Sequence, residues 1–234
     1  MPASDHMTPR VEPPASAPES SGRRYVVGIS GASGAPYSLR LIEQVLLAGH
    51  ELHLVVSEYG QRLLFDECDV RRASFEELCP HLAGSPAGEA LSSRLVCHPN
   101  KDVGAVIASG SFLHSGMVVV PCSSTSLGAI ATGAGSNLLT RAAMVTLKEN
   151  RPLIVCHREM PLSLIDIENM RTLRLAGGTI CSPNPGFYLL PRGVHEIVDF
   201  TVGKVLDLLG VEHGLGTRWH GGDAAERRAG SPSH

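Results

Sequence analysis

Small residues, hydroxyls and a few charges gather in a handful of short stretches of the 234-residue chain, and the first of them is Ser30-Gly-Ala-Ser-Gly-Ala35, followed by Pro36. Gly31, Ser33, Gly34 and Ala35 leave the backbone uncovered, and Pro36 fits the first turn of a helix without wasting an N–H donor. A helix opened this way offers its unpaired amides to an anion. The stretch therefore reads either as a phosphate or flavin cradle or as a tight strand-to-helix turn packed for its own sake. Gly28, Gly31 and Gly34 recur every third residue and position 29 is isoleucine, which departs from the G-x-G-x-x-G of dinucleotide folds. No Lys-Ser/Thr follows Gly34, so it is not a P-loop.

Three further stretches carry polar groups where a ligand can be met. Ser57 follows a second apolar run; its hydroxyl suits a ribityl or phosphate group, and equally the cap of a following helix. Pro121-Cys-Ser-Ser-Thr-Ser126 sets four hydroxyls, Ser123, Ser124, Thr125 and Ser126, in a row at a helix start, where capping needs one. His157-Arg158-Glu159-Met160-Pro161 places a charged pair just beyond an apolar run. Arg141 and Lys148, two turns apart, share one helix face and read as an anion contact or as solvated surface. Asn184-Pro-Gly-Phe-Tyr188 puts a tyrosine on a rigid turn.

Elements that would position these residues follow from alternating short apolar runs and helical patterns, the signature of a parallel sheet covered on both faces. Strands are predicted over 25–29, 51–56, 117–120, 153–156 and 179–181, and helices over 36–47, 59–67, 126–132, 138–147, 165–175 and 194–209. In the last helix Val194, Ile197, Val198, Val202, Val205, Leu206 and Leu209 form one stripe. Residues 69–96 show no clear period. Ligands of such sheets bind beyond the carboxyl ends of the strands, where the polar stretches fall.

The chain is 43% hydrophobic, enough for one substantial core, and its net charge of −3 gives no general attraction to nucleic acid or an anionic membrane. No run approaches the length of a membrane span. Six cysteines without C-x-x-C or zinc-site spacing read as buried or incidental thiols of a reducing, cytoplasmic compartment, with no metal site. Residues 1–22, rich in Pro, Ser, Ala and Glu, are expected to be a disordered leader. Residues 23–214 form the expected single domain, and 215–234 a polar tail.

Seven ordered motifs resemble the UbiX-type flavin prenyltransferases: Ser-Gly-Ala-Ser-Gly-Ala at 30–35, Pro-Cys-Ser at 121–123, Asn-Leu-Leu-Thr-Arg-Ala-Ala at 137–143, Leu-Lys-Glu-Asn-Arg-Pro-Leu at 147–153, Arg-Glu-Met-Pro-Leu at 158–162, Glu-Asn-Met at 168–170 and Pro-Gly-Phe-Tyr at 185–188. They span essentially the whole core. Ser124-Thr125-Ser126 stands where that family often has glycine. The resemblance implies a flavodoxin-like (Rossmann-like) three-layer αβα domain with a mostly parallel sheet, assembled as a homododecamer with FMN at subunit interfaces. It implies transfer of a dimethylallyl group from dimethylallyl phosphate or diphosphate to N5 and C6 of reduced FMN, without metal. The product, prenylated FMN, would pass to a UbiD-type decarboxylase.

Carried over by the resemblance, Gly31, Ala32, Ser33, Ser57, Ser123, Ser124, Thr125, Ser126 and Arg158 would hold FMN, with Ser33 near N5. Arg141, Lys148, Tyr188 and Lys204 would clamp the prenyl phosphate, and Glu67 and Glu159 would transfer protons. Stabilising a departing phosphate away from water is what allylic substitution requires. Two rival functions are a flavin-dependent cysteine decarboxylase and a non-enzymatic FMN carrier or decarboxylase subunit. The first calls for a histidine on the 59–67 helix and a Pro-x-Met-Asn-x-x-Met-Trp clamp; that helix has none, and the single tryptophan, Trp219, lies in the tail. The second gives no reason for a second anion site.

Overall fold

The computed structural model describes residues 22–217; the expected leader except Gly22, and most of the expected tail, Trp219 included, lie outside them. Six strands, β1 (Arg24–Ile29), β2 (Glu51–Val56), β3 (Leu95–Pro99), β4 (Met117–Cys122), β5 (Leu153–His157) and β6 (Thr179–Ile180), form one sheet in the order β3-β2-β1-β4-β5-β6. Every pairing is parallel. The helices are α1 (Ala35–Leu47), α2 (Glu58–Cys68), α3 (Phe75–Leu78), α4 (Pro80–Ala83), α5 (Gly88–Ser92), α6 (Ser124–Thr132), α7 (Leu138–Lys148), α8 (Leu164–Leu175) and α9 (Val194–Leu209).

Alternation along β1 explains the layers. Tyr25, Val27 and Ile29 face a core shared with Leu41, Ile42, Val45 and Leu46 of α1 and Val198, Val202, Val205 and Leu206 of α9. Val26 faces the other core, filled by Leu127 and Ile130 of α6, Leu138, Leu139 and Ala142 of α7, and Leu173 of α8. Burying each Leu or Ile fully contributes roughly 1.5–3 kcal/mol, so the two apolar stripes fix which helix covers which face. The expected three-layer arrangement is present, with the sheet wholly parallel.

Strand β3 was not expected, and residues 69–96, which showed no period, hold three short helices before it. β3 is an edge strand whose Cys97, His98 and Pro99 include a charged-type and a non-donating residue, so it lacks the continuous apolar run of an inner strand. β5 runs one residue further than predicted. Between Val119 and Cys122 the β4 ladder slips, and Cys122 then pairs with His157. His157 is therefore a buried strand residue and not part of a loop.

Chain order reverses across β1 and β4: β1 continues outward to β2, and the chain later returns to β4 on its other side. The loops after β1 and β4 diverge at that point and leave a crevice beyond the strand ends. The start of α2 closes one wall. A Cβ on Gly60 would stand 2.5 Å from the Ile29 carbonyl oxygen and 3.0 Å from its carbon. Backbone cannot yield there, so Gly60→Ala should lower stability by about 1–3 kcal/mol and the melting temperature by roughly 3–10 °C. An unchanged melting curve would show that α2 does not press on β1.

Candidate active site

Ser30, the first residue after β1, is 1% exposed and joins the two loops of the crevice. Its hydroxyl donates to the Pro121 carbonyl at 3.1 Å and accepts from the Ser123 amide at 2.8 Å. Its own amide donates to the same Pro121 carbonyl at 3.1 Å. Gly31 then packs against Tyr59, Ala32 is buried, and Ser33 is exposed at the apex. Gly34 takes φ 130°, a conformation that favours glycine, and α1 begins.

The α1 N-terminus differs from the expectation of amides left free for an anion. Glu67, in the last turn of α2, places Oε2 2.9 Å from the Gly34 amide and 2.8 Å from that of Ala35. A carboxylate in this position satisfies two orphan donors and complements the helix dipole, worth about 0.3–1 kcal/mol and up to ~2 in partly buried geometry. In this protomer Glu67 is thus the anion of α1, and the cradle is completed by the chain itself.

Serines along the other loops have structural partners as well. Ser57 caps α2, accepting from the Gly60 amide at 3.0 Å. Ser123 caps α6, accepting from the Ser126 amide at 3.2 Å and donating to the Ser126 hydroxyl at 3.2 Å. Ser124 Oγ lies 3.1 Å from Nε2 of the buried His157, while Thr125 is exposed. Three of the four hydroxyls in the row therefore bind protein groups, which shapes the α6 entrance before any ligand arrives.

Behind Ser124 lies a buried polar network that sequence reasoning missed. Asp166 Oδ1 is 3.8 Å from His157 Nε2, and Asp166 Oδ2 accepts from the Ser163 amide at 3.0 Å and its hydroxyl at 2.5 Å. Ser163 Oγ accepts in return from the Asp166 amide, a capping box that starts α8. Burial pushes the His157 imidazole down, so it is neutral near pH 7. Hydrogen bonds from Ser124 and Ser163, with His157 nearby, hold the Asp166 carboxyl down from 3.8 to about 2. Ser124 and Asp166 both meet Nε2, whereas a nucleophilic triad uses the two ring nitrogens separately. Ser124 is consequently an oriented hydroxyl and not an activated nucleophile. Ser163, three residues before Asp166 at a helix start, was the legible signal.

Arg158 follows β5, its amide bonded to the Cys122 carbonyl at 3.1 Å, so it stands beside the α6 entrance. Its guanidinium Nε is buried without a partner among the described residues. That donor, the exposed Ser33 and Thr125 and the oriented Ser124 fit the carbonyl and phosphate acceptors of FMN. Glu159 is exposed, with Oε1 accepting from the Met160 amide at 3.1 Å. Both expected proton-transfer carboxylates are thus exposed in this protomer.

The four expected phosphate-clamp residues do not share one layer. Arg141 and Lys148 lie on α7, whose apolar side packs into one core, while Lys204 is on α9, which packs into the other. Tyr188 sits in a 3₁₀ turn, Phe187–Leu189, edge-on to Phe200 of α9 at 5.7 Å. α7 starts at the crevice end, where the Leu138 amide meets the Asn100 carbonyl just past β3. Lys148 ends it, about 15 Å further along, and pairs with Glu149 at 2.6 Å.

The network makes a prediction with a definite sign. The folded-state pKa of Asp166 is depressed, so its contribution to stability is complete above pH 3.8 and is lost as pH falls towards about 2. Asp166→Asn should be less stable than the parent at neutral pH, and the two acid-denaturation curves should converge in that window. A gap that persists to the lowest pH would show that the charge is not what matters.

Comparison with known proteins agrees with this geometry. The Flavoprotein family model matches residues 14–206. The flavin prenyltransferase UbiX of Halalkalibacterium halodurans is 43% identical over 195 residues, 83% of this chain and 92% of its own. The crystal structure of AnUbiX (PadA1) in complex with FMN and dimethylallyl pyrophosphate superposes with a TM-score of 0.74 at 35% identity, over 86% of this chain and 98% of that one. A dodecameric FMN-dependent Ubix-like decarboxylase from Escherichia coli O157:H7 gives 0.73 at 37% identity, over 85% and 99%. Kinship over nearly the full described chain, at identities well above those at which only a fold is shared, makes this protein a member of the UbiX-type flavin prenyltransferase family.

Proposed function

We propose that the crevice between the loops after β1 and β4 binds reduced FMN, and that the protein transfers a dimethylallyl group to it from dimethylallyl phosphate or diphosphate, making prenylated FMN. The observation that carries the flavin half is the buried Nε of Arg158, without a partner among the described residues, beside the Ser123–Ser126 hydroxyls. When bound, reduced FMN supplies the nucleophilic N5 and C6 positions. Arg158, Ser33, Ser57, Ala32, Gly31 and the Ser123–Ser126 stretch hold and orient it, with His157 and Asp166 fixing the Ser124 hydroxyl from behind. Glu159, next to Arg158, moves protons, and Glu67 stands beneath the Ser33 apex as the second carboxylate.

Arg141, Lys148, Tyr188 and Lys204 hold the phosphate of the donor. They lie in opposite layers of one protomer, so the clamp closes between copies. Exposed Met160, Leu162, Leu164 and Ile165, with Phe187 and Val194, supply apolar surface for such contacts. The assembly is a homo-oligomer, and the dodecamer of the related decarboxylase is its expected form. Among the described residues no helix is long and apolar enough to cross a membrane. A cytoplasmic location and delivery of the product to a UbiD-type decarboxylase complete the proposal.

Mass spectrometry of the flavin after anaerobic incubation of the protein with reduced FMN and dimethylallyl phosphate should find FMN enlarged by one prenyl group. Glu159→Gln keeps size and hydrogen-bonding capacity while removing the titratable group. Single-turnover prenylation should then fall about 10²- to 10⁴-fold with little change in FMN affinity. Unmodified flavin in the parent would overturn the proposed reaction; near-parental turnover in the variant would overturn the role of Glu159.

A further inference from the structure

Cys156 and Cys181 belong to no part of the site described above, yet the sheet sets them side by side. In the β5/β6 ladder Ile154 pairs with Thr179 and Val155 with Ile180, and the Cys181 amide donates to the Val155 carbonyl at 2.9 Å. The next pair in that register is Cys156 and Cys181, with strand axes about 4.8 Å apart, inside the Cα separation of roughly 4.4–6.8 Å that a disulfide spans. Their side chains belong to the same core, the one covered by α1 and α9, and each thiol shifts the other's titration. Cys156 is fully buried while Cys181 is partly exposed. β6 is a two-residue edge strand and Cys181 lies just past its end, so its backbone is free of a full ladder and can make the small approach a bond requires.

We propose that Cys156 and Cys181 form a peroxide-sensitive dithiol in which Cys181 is attacked first and Cys156 closes a reversible disulfide. The Cys181 thiolate displaces hydroxide from hydrogen peroxide, giving a sulfenic acid, and the hydroxide takes a proton to become water. The Cys156 sulfur then displaces the sulfenic hydroxyl, losing its own proton, and a second water leaves. Two thiols are oxidised by one peroxide, which is reduced to two waters. A dithiol reductant reverses the bond by exchange.

Local electrostatics favour this order of events. The Cys156 S–H donates to the Cys181 sulfur and Lys204 of α9 adds positive charge, holding the Cys181 thiol down at about 7, whereas Cys156 is pushed well up. Burial pushes Cys79 and Cys122 up to about 12, and it raises Cys68 and Cys97. Cys181 is thus the accessible thiolate at neutral pH and Cys156 the neighbour that resolves it. Burial pushes the Cys97 thiol up, so near pH 7 Cys97 carries less thiolate than Cys181 and should react more slowly.

The test reads thiols and not turnover, so it stands apart from the proposed reaction. The full-length reduced protein is treated with hydrogen peroxide, quenched, unfolded, alkylated and peptide-mapped. Two of the six cysteines should escape alkylation, joined in one cross-linked peptide pair containing Cys156 and Cys181, and dithiothreitol should restore both. In Cys156→Ala a sulfenic acid should accumulate at Cys181 and be trapped by dimedone; in Cys181→Ser, at a partly exposed site that tolerates the change, Cys156 should stay reduced. A disulfide between any other pair, or oxidation of Cys97 as fast as Cys181 in the unmutated protein, would overturn the proposal.

Discussion

The Ser30 hydroxyl sits where the strand order reverses, and through it the loop after β1 and the loop after β4 become one rigid edge. It is buried, gives a hydrogen bond to Pro121 and takes one from the half-buried Ser123. Leaving one such buried donor unpaired costs about 1–3 kcal/mol, comparable to a large fraction of what keeps a domain folded. Because Ser123 caps α6 and α6 presents Ser124 and Thr125, the position of the hydroxyl row follows from Ser30. The same edge carries Ser33 towards the crevice, while Glu67 pins the start of α1 behind it.

Rigidity on the flavin side contrasts with incompleteness on the phosphate side. The helices bearing Arg141 and Lys148 and the helix bearing Lys204 are held apart by the sheet itself, since each packs its apolar stripe into a different core. Lys148, at the end of α7 about 15 Å from its crevice end, is separated further along the helix. The proposed clamp, which uses all of them, is therefore assigned to more than one copy, and the apolar side chains exposed around Met160 to Ile165 offer surface for such a contact. Exposure of Glu159 in one protomer fits the same picture, because a neighbour that covers the loop also desolvates the carboxylate.

Much of the fold is legible because the inner strands are rich in apolar residues, with His53 in β2 a polar exception: the expected β1, β2, β4 and β5 each agree with the structure to within two residues. β3 was not, since an edge strand buries little and its Cys97, His98 and Pro99 form no run. The loops after strands stand out in the sequence as polar stretches, but the Glu67 contact to Gly34 and Ala35 spans 33 and 32 residues and depends on how α2 lies, which local pattern does not encode. His157 reads as loop in the sequence because the slip in β4 that extends its ladder is invisible in β5. Spacing of seven put Arg141 and Lys148 on one helix face; it said nothing of which layer that helix would join.

The central claim, a donor clamp shared between copies, is tested most directly by complementation. Arg141→Ala and Lys204→Ala proteins, each deficient in prenylation, are unfolded together in equal amounts, refolded, and assayed for turnover per site. If one copy supplies Arg141 and another Lys204, random assembly in a symmetric oligomer rebuilds intact clamps at about one quarter of the sites, and about that share of parental turnover should return. Recovery no greater than the mean of the two variants refolded alone would contradict the account, because it would place both residues in a clamp made by a single chain.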